Sequence, residues 1–157
     1  MGQIPSDIPP DAWKRKVRSV MSADTLVIET DKGLDEVWLV CVKAPKVEAK
    51  EALGDEARDF VINEVLNNEA WIVFDNSKNE PRRDKNGRYM AFVYYEKVVE
   101  VGPKKEPTRS FFFLNAELVS RGLARVDTSY PCSKRLEFNA IQQEARQKRL
   151  GIWENSR

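Results

Sequence analysis

The chain has no histidine. That excludes His-ligated zinc, Ser-His-Asp and Cys-His arrangements, and the side chain that ordinarily acts as a base near neutral pH. Any hydrolytic chemistry must then use carboxylates with a hard cation, or Lys, Tyr or Arg. Cysteine occurs only twice, too seldom for a disulfide framework. Cys41 lies in an apolar run and Cys132 in a Pro-containing loop, and the pair reads as reduced thiols of an intracellular protein, cytoplasmic or nuclear. No apolar run approaches the roughly 20 residues of a bilayer span, so no membrane partner is expected. The N-terminal MGQIPSDIPPD lacks the basic region and apolar stretch of a secretory signal. An excess of either sign of charge is also missing, since the formal net charge is +1.

What is present is ordinary globular composition, with 41% hydrophobic and 32% charged residues in 157 positions. That length suits one domain, 13–157, behind an extended N-terminal arm, 1–12. Basic residues cluster locally at Lys14-Arg15-Lys16 with Arg18, at Arg82-Arg83 with Lys85 and Arg88, and at Lys104-Lys105. Solvated loop charge is the simple reading of all three clusters.

The pattern along the chain alternates between period two and helical spacing. Val17 to Ile28 reads as a hairpin around Ser22-Ala23-Asp24, and Val37 to Val42 as a strongly apolar strand. Ala57, Phe60, Val61, Val65 and Leu66 fall at helical spacing within Leu53 to Leu66. Trp71 to Phe74 and Tyr89 to Tyr95 read as strands, with the polar 75–86 loop between them. Val101 to Ser110 reads as a mobile Gly/Pro loop. Phe112 to Ser120 and Leu136 to Arg149 read as helices, the first capped by Gly122. This order predicts an α+β fold: a five-stranded antiparallel OB-fold barrel, interrupted by one helix and followed by two more.

Six segments, in order, resemble the staphylococcal nuclease (thermonuclease) family from Val17 to Trp153. They are Ala23-Asp24-Thr25, Ala44-Pro45, Gly54-x-Glu56-Ala57, and Asp84-Lys85-Asn86-Gly87-Arg88. Then come Leu118-Val119-x-x-Gly122-Leu123-Ala124-Arg125-Val126 and Arg149-Leu150-Gly151-Ile152-Trp153. The resemblance implies a site in which two aspartates and a backbone carbonyl hold one Ca²⁺. It also implies a glutamate assisting the attacking water and two arginines on the phosphate.

Carried over by position, Asp24 matches the first metal aspartate and Arg88 the second phosphate arginine. The other roles fail: Trp38 stands for the first arginine, Lys43 for the second aspartate and Lys46 for the glutamate. General-base help is typically worth about 10²–10⁴ in rate, so the expectation is a domain that is not an enzyme, with no metal and no cofactor. Asp24 has two further readings, a turn residue or a partner for Lys43, and Arg88 has a structural salt bridge. Trp38 is read as packed against the barrel, with base stacking as the alternative.

Three functions follow. The first is nucleic-acid binding without cleavage, to RNA or single strands, by Lys43, Lys46, Arg82, Arg83, Lys85, Arg88 and Tyr130. The second is a protein-interaction scaffold, since the chain is similar to the degenerate nuclease-like domains of Tudor-SN proteins, which are linked to RNA and protein partners. In that reading the 101–110 loop is either a contact surface or a tolerated insertion. The third is a residual Ca-dependent phosphodiesterase rearranged around Asp84, Glu48 and Glu51. Oligomeric state is not legible.

Overall fold

The computed structural model describes residues 5–47, 50–76 and 78–154. Its strands close on one another. β1 (Trp13–Ser22) pairs antiparallel with β2 (Thr25–Thr30), and β2 with β3 (Gly33–Leu39). β3 runs parallel to the start of β6 (Tyr89–Val101), β6 pairs antiparallel with β5 (Glu69–Phe74), and β5 returns to β1. The ring is a closed five-stranded barrel of the OB type, which leaves none of those strands with a free edge.

Alternation explains the filling. Ala70, Ile72 and Phe74 on β5 face Tyr95, Val93 and Ala91 on β6, and all six are buried. Val17, Leu26, Ile28 and Val37 are fully buried on the other strands. The helix α1 (Gly54–Val65) buries Ala57, Val61 and Val65 and packs on β1, with Asp55 and Glu56 in the first turn, where the helix dipole favours anions.

Beyond the barrel, α2 (Leu114–Ser120) packs against α3 (Arg135–Gln147). Gly122 follows α2 in the left-handed conformation that a cap requires, with φ +70°. A two-stranded ladder joins β4 (Val42–Lys43) to β8 (Arg125–Val126). Buried Asn115 ties these layers together. Its amide accepts from Val93 N at 2.9 Å and donates to Val40 O at 2.9 Å and Ala91 O at 3.2 Å.

Three expectations are corrected. The 101–110 segment is a hairpin: β6 continues to Val101, and β7 (Glu106–Phe113) pairs back along it. Gly102 and Lys105 take positive φ and make the turn, and Pro107 is tolerated because β7 is the sheet's edge strand. Because Phe112 and Phe113 belong to β7, α2 starts later than helical spacing implied. The arm, in its described part, is turned rather than extended: Ile8 N bonds Pro5 O and Ala12 N bonds Pro9 O, each at 3.0 Å, and Ile8 is buried.

A fourth correction concerns the cysteines. Cys41 and Cys132 form a disulfide across 91 positions, with Cα atoms 5.9 Å apart. The chain bends between β3 and β4 at Cys41 (φ +76°), which turns its side chain toward the 127–134 loop. Disulfides persist in oxidising surroundings, so the intracellular expectation drawn from two reduced thiols loses its support. No described helix is long and apolar enough to cross a membrane.

Candidate functional site

The register of the barrel brings the site together. Thr25 pairs with Trp38 across β2 and β3, and Trp38 pairs with Met90 across β3 and β6. The 84–88 turn that leads into β6 therefore lies against the Asp24 turn and the end of β3. Between them and the 127–130 segment is a cleft of about 460 Å³. Asp24, Trp38, Lys43, Lys46, Lys85, Arg88 and Tyr130 all line it.

Asp24 is a turn residue here. Its Oδ1 accepts from Ser22 Oγ at 2.8 Å and Thr25 Oγ1 at 3.0 Å, and its Oδ2 accepts from Ala44 N at 2.9 Å. Leu39 N also bonds the Asp24 carbonyl at 2.8 Å. The carboxylate thus pins β4 to the turn between β1 and β2. Lys43 lies beyond 4.0 Å of it, so the expected Asp24–Lys43 pair is not formed.

Arg88 has the salt bridge. Its Nε donates to Asp84 Oδ2 at 2.8 Å and its Nη1 to Thr25 Oγ1 at 3.0 Å. Asp84 also accepts from Asn86 N and Arg88 N, each at 2.9 Å, which shapes the turn. The guanidinium carbon lies 5.6 Å from the Trp38 ring centre. Trp38 itself is buried, and its indole N–H donates to Val42 O at 3.1 Å. Packing is its role, which excludes base stacking on that ring.

Tyr130 leans on Trp38 with ring centres 5.5 Å apart, and its hydroxyl accepts from Lys85 N at 2.8 Å. Two positions on, Cys132 is bonded to Cys41, which ties the Tyr130 segment to the chain between β3 and β4. Lys43, Lys46 and Lys85 are exposed, and none has a carboxylate oxygen within 4.0 Å of its ammonium among the described residues. Exposure screens the repulsion that a semi-buried ammonium pair would suffer.

Two predicted residues fall outside the cleft. Arg83 makes a bidentate pair with Asp35, at 3.2 and 2.9 Å, and stacks 3.9 Å from the Tyr89 ring centre. That guanidinium holds the Asp35 carboxyl below its usual range, hydrogen bonding being the main cause. Arg82 is exposed and its carbonyl is taken by Met90 N, but its side chain does not line the cleft either. Arg83 also forms an isolated antiparallel bridge with Tyr89 as the chain enters β6.

A calcium ion does not fit these residues. Every hydrogen bond made by Asp24 is internal, a lysine occupies the second aspartate's place, and no three His, Cys, Asp or Glu side chains cluster to hold a metal among the described residues. The rearranged acids do not supply one: Asp84 is committed to Arg88 and its turn, and Glu51 Oε2 accepts from Lys46 N at 2.9 Å. Glu48 lies outside the described residues. The cleft also carries four acids, Asp24, Glu36, Asp84 and Asp127, against four cations, Lys43, Lys46, Lys85 and Arg88. The acids are largely occupied by internal hydrogen bonds, whereas the lysine ends reach solvent.

Comparison with known proteins agrees with this architecture. The model of the staphylococcal nuclease homologues matches residues 36–155. An uncharacterised protein of Methanocaldococcus jannaschii is 27% identical, over 88% of this chain and 70% of its own. The thermonuclease of Staphylococcus intermedius is 29% identical over 88% and 74% of the two chains. Protein ParB of Escherichia coli is 27% identical over 90% and 75%. The fold, the ordered motifs and the matched span together establish that the chain belongs to the staphylococcal nuclease homologue family.

Proposed function

We propose that the domain binds nucleic acid, as RNA or single strands, without cleaving it. One observation carries this reading: the cleft that should hold a cation between carboxylates is instead rimmed by exposed Lys43, Lys46 and Lys85 beside Arg88. Exchanging an acid for a lysine reverses which ligand the position attracts. Phosphate oxygens replace a hard cation, and ammonium groups serve as point charges for them. Two of the carboxylates in the cleft, Asp24 and Asp84, are spent on internal donors. The acids that share the cleft keep the affinity modest.

The test is fluorescence anisotropy with labelled single-stranded RNA and DNA across a salt series. Phosphate contacts predict a log–log salt slope of about −0.7 per contact, hence roughly −2 to −3 for the lysine and arginine set. Lys43→Glu with Lys46→Glu should abolish binding without lowering the thermal transition. A slope near zero, or full affinity in the double variant, overturns the proposal.

A protein-interaction role is the second reading. It is favoured by the free outer edge of β7 and by exposed Val98 and Val101 on the same hairpin. Edge strands offer unpaired backbone groups to a partner strand. A partner held there would be insensitive to the lysine substitutions and to moderate salt.

A further inference from the structure

Lys43 and Arg125 stand directly opposite each other in the β4–β8 ladder. Like charges in that position destabilise a strand pair, and this ladder is only two residues long on each side. Both side chains are exposed, and neither has a carboxylate oxygen within 4.0 Å among the described residues. A short ladder gains nothing structurally from a pair of facing cations.

Their surroundings give the pair a purpose. A second depression, of about 380 Å³, shares the Lys43-Ala44-Pro45 ridge with the cleft. Arg125, Glu51 and Ile152 line it together with the ridge residues. Lys43 therefore belongs to both hollows, with Lys85 and Arg88 on one side and Arg125 on the other. Glu51 is the opposing charge in the second hollow, and its Oε2 accepts from Lys46 N.

We infer that a single nucleic-acid strand crosses this ridge, with one phosphate in the cleft, the next in the second hollow beside Arg125, and Lys43 between them. The inference rests on the nucleic-acid reading above and adds the direction of the strand and a binding residue from outside the cleft. Successive phosphates satisfy facing cations that no carboxylate among the described residues satisfies. A flexible single strand follows the ridge, whereas a stiff duplex cannot bend over so small a feature.

The experiment compares wild type, Arg125→Gln, Lys85→Gln and Lys104→Gln on a labelled oligothymidylate of about eight nucleotides, within the site size of one OB fold. Lys104 is exposed on the distant hairpin turn and controls for simple loss of charge. Arg125→Gln should weaken binding about three- to tenfold and make the salt slope shallower by about 0.7, the value for one single-strand phosphate contact. Its thermal transition should stay level or rise, because a like-charge pair is relieved.

Unchanged affinity in Arg125→Gln, with Lys85→Gln impaired, overturns the crossing strand but leaves the nucleic-acid reading standing. An equal loss in Lys104→Gln also overturns it, since the effect is then one of overall charge. Equal competition by duplex rules out the single-strand path. Absence of binding by wild type overturns both readings.

Discussion

Reduction of the Cys41–Cys132 bridge is the perturbation that separates the structure most sharply from the composition of the chain. The bridge spans 91 positions, and closing a loop of that length withdraws about 4.6 kcal/mol of conformational entropy from the unfolded chain. For a domain of this size each kcal/mol moves Tm by about 2–4 °C, so reduction should lower it by roughly 9–18 °C. The fold should survive, because the 127–134 loop is also held by Asp127 N on Cys41 O, Ser133 N on Asp75 Oδ2 and Lys85 N on the Tyr130 hydroxyl, each at 2.8 Å. The assay is thermal unfolding followed by circular dichroism, with and without a phosphine reductant, alongside Cys132→Ser. Cys132→Ser should match the reduced protein and be indifferent to reductant. Two titratable thiols in the unreduced native protein, or identical transitions in both buffers, would refute the reasoning.

Three more outcomes follow from particular contacts. A Cβ at Gly122 would lie 2.2 Å from Leu150 O at a φ of +70°. Gly122→Ala should therefore cost about 3 kcal/mol in urea unfolding, against about 1 kcal/mol for Gly33→Ala, which has open space around it. Equal costs would deny the close approach. Asn115→Ala leaves Val93 N and Val40 O without their side-chain partner and should cost about 3 kcal/mol by the same measurement; a loss below about 1 kcal/mol contradicts the network. Asp35 titrates below its usual range because of Arg83, so its contribution is present above the unfolded carboxylate pKa and is lost as pH falls through the lower folded value. Stability of wild type and Asp35→Asn should differ by about 0.5–1 kcal/mol at neutral pH and converge in acid. A gap that persists in acid sinks that assignment.

Much of the barrel was legible because its residues repeat a local pattern. The apolar run from Val37, which is a strand only as far as Leu39 before the chain bends at Cys41 into β4, the strand after Tyr89 and the helical spacing of Ala57, Val61 and Val65 each specify an element without outside help. Asp24 before Thr25 and Gly122 after α2 were legible for the same reason, as short-range turn chemistry. The β6–β7 hairpin was hidden because Gly102, Pro103 and Pro107 suggest a loop, and only pairing with the preceding strand makes one of those prolines an edge residue. The disulfide was hidden because its partners are brought together by the bend at Cys41, which no local signal announces.

The candidate site divides along the same line. Position against a family pattern placed Asp24, Trp38, Lys43, Lys46 and Arg88 around one cleft, and Lys85 and Tyr130 joined them. Charge clustering groups Arg82 and Arg83 with them but carries no information on direction; pairing with Asp35 takes Arg83 elsewhere. Arg125 carries no local signal of its own, because it stands inside a structural motif. Its meaning depends on the cross-strand position of Lys43.

The central claim is that the cleft holds nucleic acid and does not cut it. The most direct measurement incubates labelled single-stranded RNA and DNA with the protein and Ca²⁺, and reads product and retarded complex from the same reactions. The account predicts intact strand that is retarded at low salt and released as salt rises, unchanged by chelator. Strand cleavage that chelator stops and Asp24→Ala removes would contradict it.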